Sequence, residues 1–266
     1  MADDPLDDFE QRDLTFDDDT KRVHVAGTGP AVVVMTELPG ITPQVARFAR
    51  WVRDAGFTVW MPSLFGRDGV APTRELAGET LRSGCVRREF HAFANGEPSP
   101  MAGWLRRLAA HAHGECGGPG VGAIGMCFTG GFALTMMLEP SVLAPVMSQP
   151  ALPLDDPTST FVSSTEMAAV KQRLDAEDLT VLAYRFAGDT YCQAARFEAF
   201  ARELGDRFVG RVLPDEAAGP IGWTGTPHSV VTTSLIDEAG QPTAAARDEI
   251  LDFFARRLLV GVSPHT

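Results

Sequence analysis

Two hydrophobic rhythms alternate along the chain. Ala31 to Thr36 (AVVVMT) is an unbroken apolar, β-branched run, the pattern of a strand buried on both faces. Arg22 to Ala26 precedes it as a short first strand, and Gly27-Thr28-Gly29-Pro30 breaks the two apart. Pro43 to Ala55 then sets Val45, Phe48, Ala49 and Val52 on one helical face, and Gly56 stops it. The exchange continues with a strand over Phe57 to Met61 and a helix over Pro100 to His113, where Met101, Trp104, Leu105 and Leu108 share a side. Next come a strand (Val121 to Met126), a helix (Gly130 to Leu138) and a strand (Leu143 to Ser148). A helix (Thr165 to Leu174), a strand (Thr180 to Phe186) and a helix (Gln193 to Leu204) follow. Phe208 to Leu213 reads as the last strand and Ala244 to Leu259 as the closing helix. Leu64 to His91, rich in Gly, Arg and Glu, predicts a loop and one helix. Strands alternating with helices of this length predict an α/β fold, a mostly parallel central sheet with helices on both faces. Residues 1–20 are charged and poor in apolar side chains, which predicts a flexible N-terminal arm. With no internal repeat or linker, residues 21–266 read as a single domain.

Charge narrows the partners. The 266 residues carry 23 Lys+Arg against 35 Asp+Glu, a formal net charge of −12. That balance argues against nucleic acid, whose phosphates call for a basic face. No apolar run is long enough for a transmembrane helix, so no membrane partner is expected. The start, MADDPLDDFEQRD, is acidic where a signal peptide would be basic and then apolar, and the protein reads as cytoplasmic. The four cysteines, Cys85, Cys116, Cys127 and Cys192, form no C-x-x-C pair. Neither a disulfide framework nor a structural zinc is expected. His111 and His113 are too close for a helical zinc face. No metal or cofactor is implied, and an acidic, ordinary surface fits a monomer or a homodimer.

One cysteine stands apart. Gly125-Met126-Cys127-Phe128-Thr129-Gly130-Gly131 lies between a buried strand and a helix. It has the G-x-nucleophile-x-G form of a nucleophile elbow, with Cys in place of Ser and Thr129 at the second small position. The turn offers the N–H of Phe128 at a helix start as an oxyanion donor. Cys127 read instead as a small buried residue on a Gly-rich turn is the plain alternative. A nucleophile needs a base, and the base an orienting acid. Downstream of Cys127 there are only two histidines, His228 and the near-terminal His265. His228 follows the Gly/Pro-rich loop Gly219 to Pro227. Asp189 ends the strand Thr180 to Phe186 after Ala187-Gly188, at the edge where open α/β sheets bind ligands. The order Cys127, Asp189, His228 suits a triad; an ordinary turn or capping role for Asp189 stays open.

These residues resemble the dienelactone hydrolase family, cysteine members of the α/β-hydrolase fold. The matches are Gly125-x-Cys127-x-x-Gly130-Gly131, Gly188-Asp189, His228-Ser229 and Glu37, and the element order agrees from Ala31 to Leu259. The resemblance implies a hydrolase of an ester, lactone or thioester of a small molecule, without cofactor. It implies that Glu37 points at the thiol and holds it at rest, and that Leu38 supplies a second oxyanion N–H. The family's arginine four residues after the histidine is here Thr232, which makes dienelactone itself a doubtful substrate. A second substrate-binding arginine would be Arg82, Arg87 or Arg88, each of which could equally be a surface charge. Trp223, Phe90 and Phe93 are candidates for an apolar pocket or for core. Glutamine amidotransferases share Gly-x-Cys-x-Gly, but their late His-x-Glu is missing from His228-Ser229-Val230. A non-catalytic small-molecule binding protein on the same fold is the remaining alternative.

Overall fold

In the computed structural model, residues 2–83, 86, 88–89 and 99–259 are described. These described residues hold eight strands, seven from the apolar runs and one more before them: β1 (Glu10–Phe16), β2 (Asp19–Gly27), β3 (Ala31–Val34), β4 (Thr58–Pro62), β5 (Val121–Met126), β6 (Val142–Ser148), β7 (Val181–Phe186) and β8 (Phe208–Leu213). They form one sheet in the order β1-β2-β4-β3-β5-β6-β7-β8. β2 is antiparallel to β1 and β4, and every pairing from β4 across to β8 is parallel. This is the α/β-hydrolase fold.

Alternate side chains explain the layers. Ala31, Val33 and Met35 enter one core, while Val32 and Val34 enter the other. Helices α1 (Pro43–Asp54) and α7 (Pro242–Leu258) cover the second face through Phe48, Val52, Ile250 and Phe254. Helices α3 (Pro100–Cys116), α5 (Ser164–Ala176) and α6 (Ala194–Leu204) cover the first through Leu105, Val170 and Phe200. The short α2 (Arg74–Leu81) lies in the stretch after β4 where one helix was expected, and Val86, Arg88 and Glu89 beyond it are helical as well. Thr42, Thr73, Ser99 and Ser163 start α1, α2, α3 and α5 by accepting a backbone N–H.

Two expectations are corrected. Residues 10–16 are no loose arm: they pair along β2 from Glu10↔Val25 to Phe16↔Asp19. Arg12, Leu14 and Phe16 alternate inward, Phe16 meets Trp104 at 5.2 Å, and the Arg12 guanidinium covers Trp60. Two of the preceding acids are paired as well, since Arg50 binds Asp4 and Asp8. High charge hid an edge strand whose charges have partners. Second, Gly130 to Leu138 is not one helix. Tight turns at Cys127–Thr129 and Met136–Leu138 flank only four α-helical residues, α4 (Phe132–Thr135), because a Gly-Gly pair opens the segment and disfavours continuous helix.

The chain leaves β3 for β4 on one side and returns to β5 on the other. The crevice at the C-terminal ends of β3 and β5 is therefore the topological switch point, where such sheets bind ligands.

Candidate active site

Cys127 sits at that crevice, partly exposed, immediately after β5. Its φ is +52°, a left-handed backbone that a side chain adopts only under strain. The neighbours explain how the turn is held. A Cβ on Gly125 would fall 2.0 Å from Thr129 O, and one on Gly130 2.5 Å from Pro150 Cα, so both positions require glycine. Thr129 occupies the remaining position usefully. Its hydroxyl accepts from Met126 N at 2.9 Å and lies 3.0 Å from Thr36 O, joining the elbow to the end of β3.

Asp189 and His228 meet beside it. Nδ1–H of His228 donates to Asp189 Oδ2 at 2.7 Å, and both side chains are buried. The other oxygen of Asp189 accepts from Tyr191 N at 2.9 Å and Cys192 N at 3.0 Å. The carboxylate is thus fixed by the turn that follows β7. Gly188 is needed there too, because a Cβ would strike Asp215 Oδ2 at 2.2 Å. With Nδ1 engaged, Nε2 of His228 is the nitrogen left for chemistry. It is buried and lacks a hydrogen-bond partner of ordinary geometry among the described residues, yet the Cys127 sulfur lies near enough to act on its charge. Burial pushes the imidazole toward neutrality, but Cys127 and Asp189 outweigh it and hold His228 well above the usual histidine range. The ring of Tyr191 packs against His228 at 5.1 Å.

Glu37 follows β3 and is buried. It accepts hydrogen bonds from Thr232 Oγ1, from Ser229 Oγ at 2.8 Å and from Gln149 Nε2 at 3.2 Å. Burial raises its carboxyl above the ordinary range, opposed by the Thr232 hydrogen bond and the charge of His228. The family resemblance implies that this carboxylate faces the thiol. Here Ser229 and Thr232 turn it to the segment after His228 and Gln149 to the end of β6, and among the described residues no hydrogen bond joins it to Cys127. Thr232, standing in the arginine's place, supplies one of those donors.

The other expected residues divide. Leu38 is buried beside Glu37, and Phe128 follows the nucleophile with its ring 5.3 Å from Phe65 and 6.1 Å from Phe132. Trp223 lies on the loop before His228, partly buried against the same core, and its carbonyl accepts from Arg74. Arg82 is exposed at the end of α2. Arg88 is not brought to the site: it turns to Asp19 at the start of β2. β2 lies three strands from β5, about 14 Å across the sheet. Arg87, Phe90, Phe93, Cys85 and His265 lie outside the described residues. Sequence reasoning missed Gln149 and Tyr191. The signal for Gln149 was a polar Ser148-Gln149 pair closing an apolar strand before Pro150. Among the described residues no His/Cys/Asp/Glu group is placed to hold a metal ion, and no helix is long and apolar enough to cross a membrane.

Comparison with known proteins identifies the family and the fold. The model of the "Dienelactone hydrolase family" matches residues 21–176. No curated protein matches the chain. Among solved structures, a dienelactone hydrolase from Anabaena variabilis ATCC 29413 is 16% identical with a TM-score of 0.58, over 94% of this chain and 99% of that one. P91, a dienelactone hydrolase-like promiscuous phosphotriesterase from metagenomic libraries, is 19% identical with a TM-score of 0.64, over 94% and 98%. A cold-adapted esterase from an Arctic intertidal metagenomic library is 12% identical with a TM-score of 0.59, over 94% and 93%.

Proposed function

Since this chain belongs to the dienelactone hydrolase family, we propose that it cleaves an ester or lactone bond of a small molecule with Cys127 as nucleophile, His228 as base and Asp189 as orienting acid. The observation that carries the reading is the 2.7 Å contact of His228 Nδ1 with Asp189, which leaves Nε2 to the thiol at a strained strand end.

His228 Nε2 takes the thiol proton, and the sulfur attacks the carbonyl carbon. The negative charge passes to the carbonyl oxygen, where the Phe128 and Leu38 N–H groups stabilise it. The carbon–oxygen bond to the leaving group then breaks, and the alkoxide receives the proton from His228. Water, deprotonated by the same nitrogen, attacks the resulting thioester; the acid leaves and the thiol is restored. Asp189 holds the tautomer in which Nε2 is the working nitrogen. The same steps serve a thioester substrate. Trp223 forms an apolar wall for the bound group. Thr232 gives its hydroxyl to Glu37 and offers no cation for a substrate carboxylate, which favours an uncharged ester over dienelactone.

The test is hydrolysis of p-nitrophenyl acetate by the purified protein. Cys127→Ala and His228→Ala are each expected to abolish turnover with the circular dichroism spectrum unchanged. Full activity in Cys127→Ala would sink the reading.

A further inference from the structure

Gln149 has a backbone that its residue type does not explain. It directly follows β6, is fully buried, and holds φ at +36°, a conformation that non-glycine residues keep only where the surroundings enforce it. Its N–H donates to Tyr184 O at 2.7 Å, so β7 helps to enforce it. Turned this way, one side-chain amide reaches three groups, one of them the neighbouring Ser148 hydroxyl, which donates to Oε1. Nε2 donates to Glu37 Oε2 at 3.2 Å, and Oε1 accepts from Val230 N at 3.3 Å. Chemistry fixes the amide's orientation, because only its NH2 end suits a carboxylate and only its oxygen takes a peptide N–H.

Glu37 extends the grip by accepting from Ser229 and Thr232. Ser229, Val230 and Thr232, all within four residues of His228, are therefore each held by Gln149 or Glu37. On the other side, Ala151 N donates to Cys127 O at 2.9 Å, and Pro150 packs against Gly130. Residues 149–151 thus touch the nucleophile turn and the segment that carries the base.

We propose that Gln149 is a positioning residue, which with Glu37 clamps the segment after His228 and sets the place of the imidazole relative to Cys127. The role rests on the triad reading; Gln149 acts through the loop and not on the substrate.

Gln149→Ala is expected to lower kcat by about tenfold to a hundredfold, with KM within about twofold. It should also shift or broaden the low-field Nδ1–H proton resonance of His228. If Gln149→Ala does not fold, Ser229→Ala, which removes one hydroxyl from the same clamp, provides both readings. A kcat within about twofold of the parent, with the resonance unmoved, overturns the role. So does a loss of kcat that tracks melting temperature alone with the resonance unmoved. The resonance needs no substrate. Should the parent hydrolyse no ester, the proposed function fails by itself, and a shifted or unmoved resonance still sustains or overturns the clamp.

Discussion

His228 Nδ1 lies 2.7 Å from Asp189 Oδ2, and neither side chain reaches solvent appreciably. A buried, charge-assisted hydrogen bond of this kind fixes both the ring and its tautomer. Asp189→Asn should preserve the turn, because its Oδ1 can still accept from Tyr191 N and Cys192 N. Its amide would instead donate to Nδ1 and move the proton to Nε2. The expected loss in kcat is about 10³- to 10⁴-fold, with a melting temperature close to the parent's. Ester hydrolysis and thermal melts of the two proteins check this.

Thr129 predicts a cost in stability. Its hydroxyl serves Met126 N and lies within hydrogen-bond distance of Thr36 O and Met126 O, all buried. Thr129→Val keeps the volume and strands Met126 N without a partner. Such a loss costs about 1–3 kcal/mol. The cysteine elbow loses its tie to β3, so esterase activity should fall more than the fold does. Urea unfolding with parallel rate measurements checks both parts.

The ease of reading the sequence followed how local each physical cause is. Strands β5 and β8 coincide with the expected Val121 to Met126 and Phe208 to Leu213; β5, buried along its whole length, is written as a continuous apolar run. Cys127, Asp189 and His228 were legible because each ends a strand or follows a Gly/Pro loop in the order the chemistry needs. β1 was not, because its inward positions include Arg12, whose guanidinium lies over Trp60 and pairs with Glu10 and Glu115. Gln149 was not, because its importance lies in contacts with residues 112 and 81 positions away. Arg88 looked no different from Arg82 in sequence, and its turn toward Asp19 is a contact 69 residues away that no local pattern carries.

The thiols should react unequally. Cys192 is buried, and burial together with Asp189 pushes its thiol well above the usual range. Cys116 accepts from Trp60 Nε1 at 3.4 Å. Cys127 is partly exposed on its strained turn and lies beside His228, so a reagent can reach its sulfur. Iodoacetamide should therefore modify Cys127 well before Cys192, and the first equivalent should remove activity. Peptide mass spectrometry over a time course, run alongside the esterase assay, follows both. Early modification of Cys192 would contradict the packing.

Glu37 predicts how stability depends on pH. Burial lifts its carboxyl above the unfolded value of about 4.3. Between that value and the raised one, the folded protein binds more protons than the unfolded chain. Stability therefore falls as pH rises through the window, and the full penalty is present above it. His228, raised as well, adds a loss in the same direction, fully stabilising below about 6.5 and lost as pH rises through its higher folded value. Glu37→Gln carries no charge at this position but keeps His228, so comparing the two proteins isolates most of the Glu37 contribution. The variant should gain in melting temperature relative to the parent as pH rises from about 4.3 through the raised value and beyond, while its kcat falls because the segment after His228 loses the carboxyl group that Ser229 and Thr232 donate to. Thermal melts of both proteins across that range measure the difference. Parallel pH profiles would mean that the buried carboxylate carries no desolvation penalty that folding has to bear.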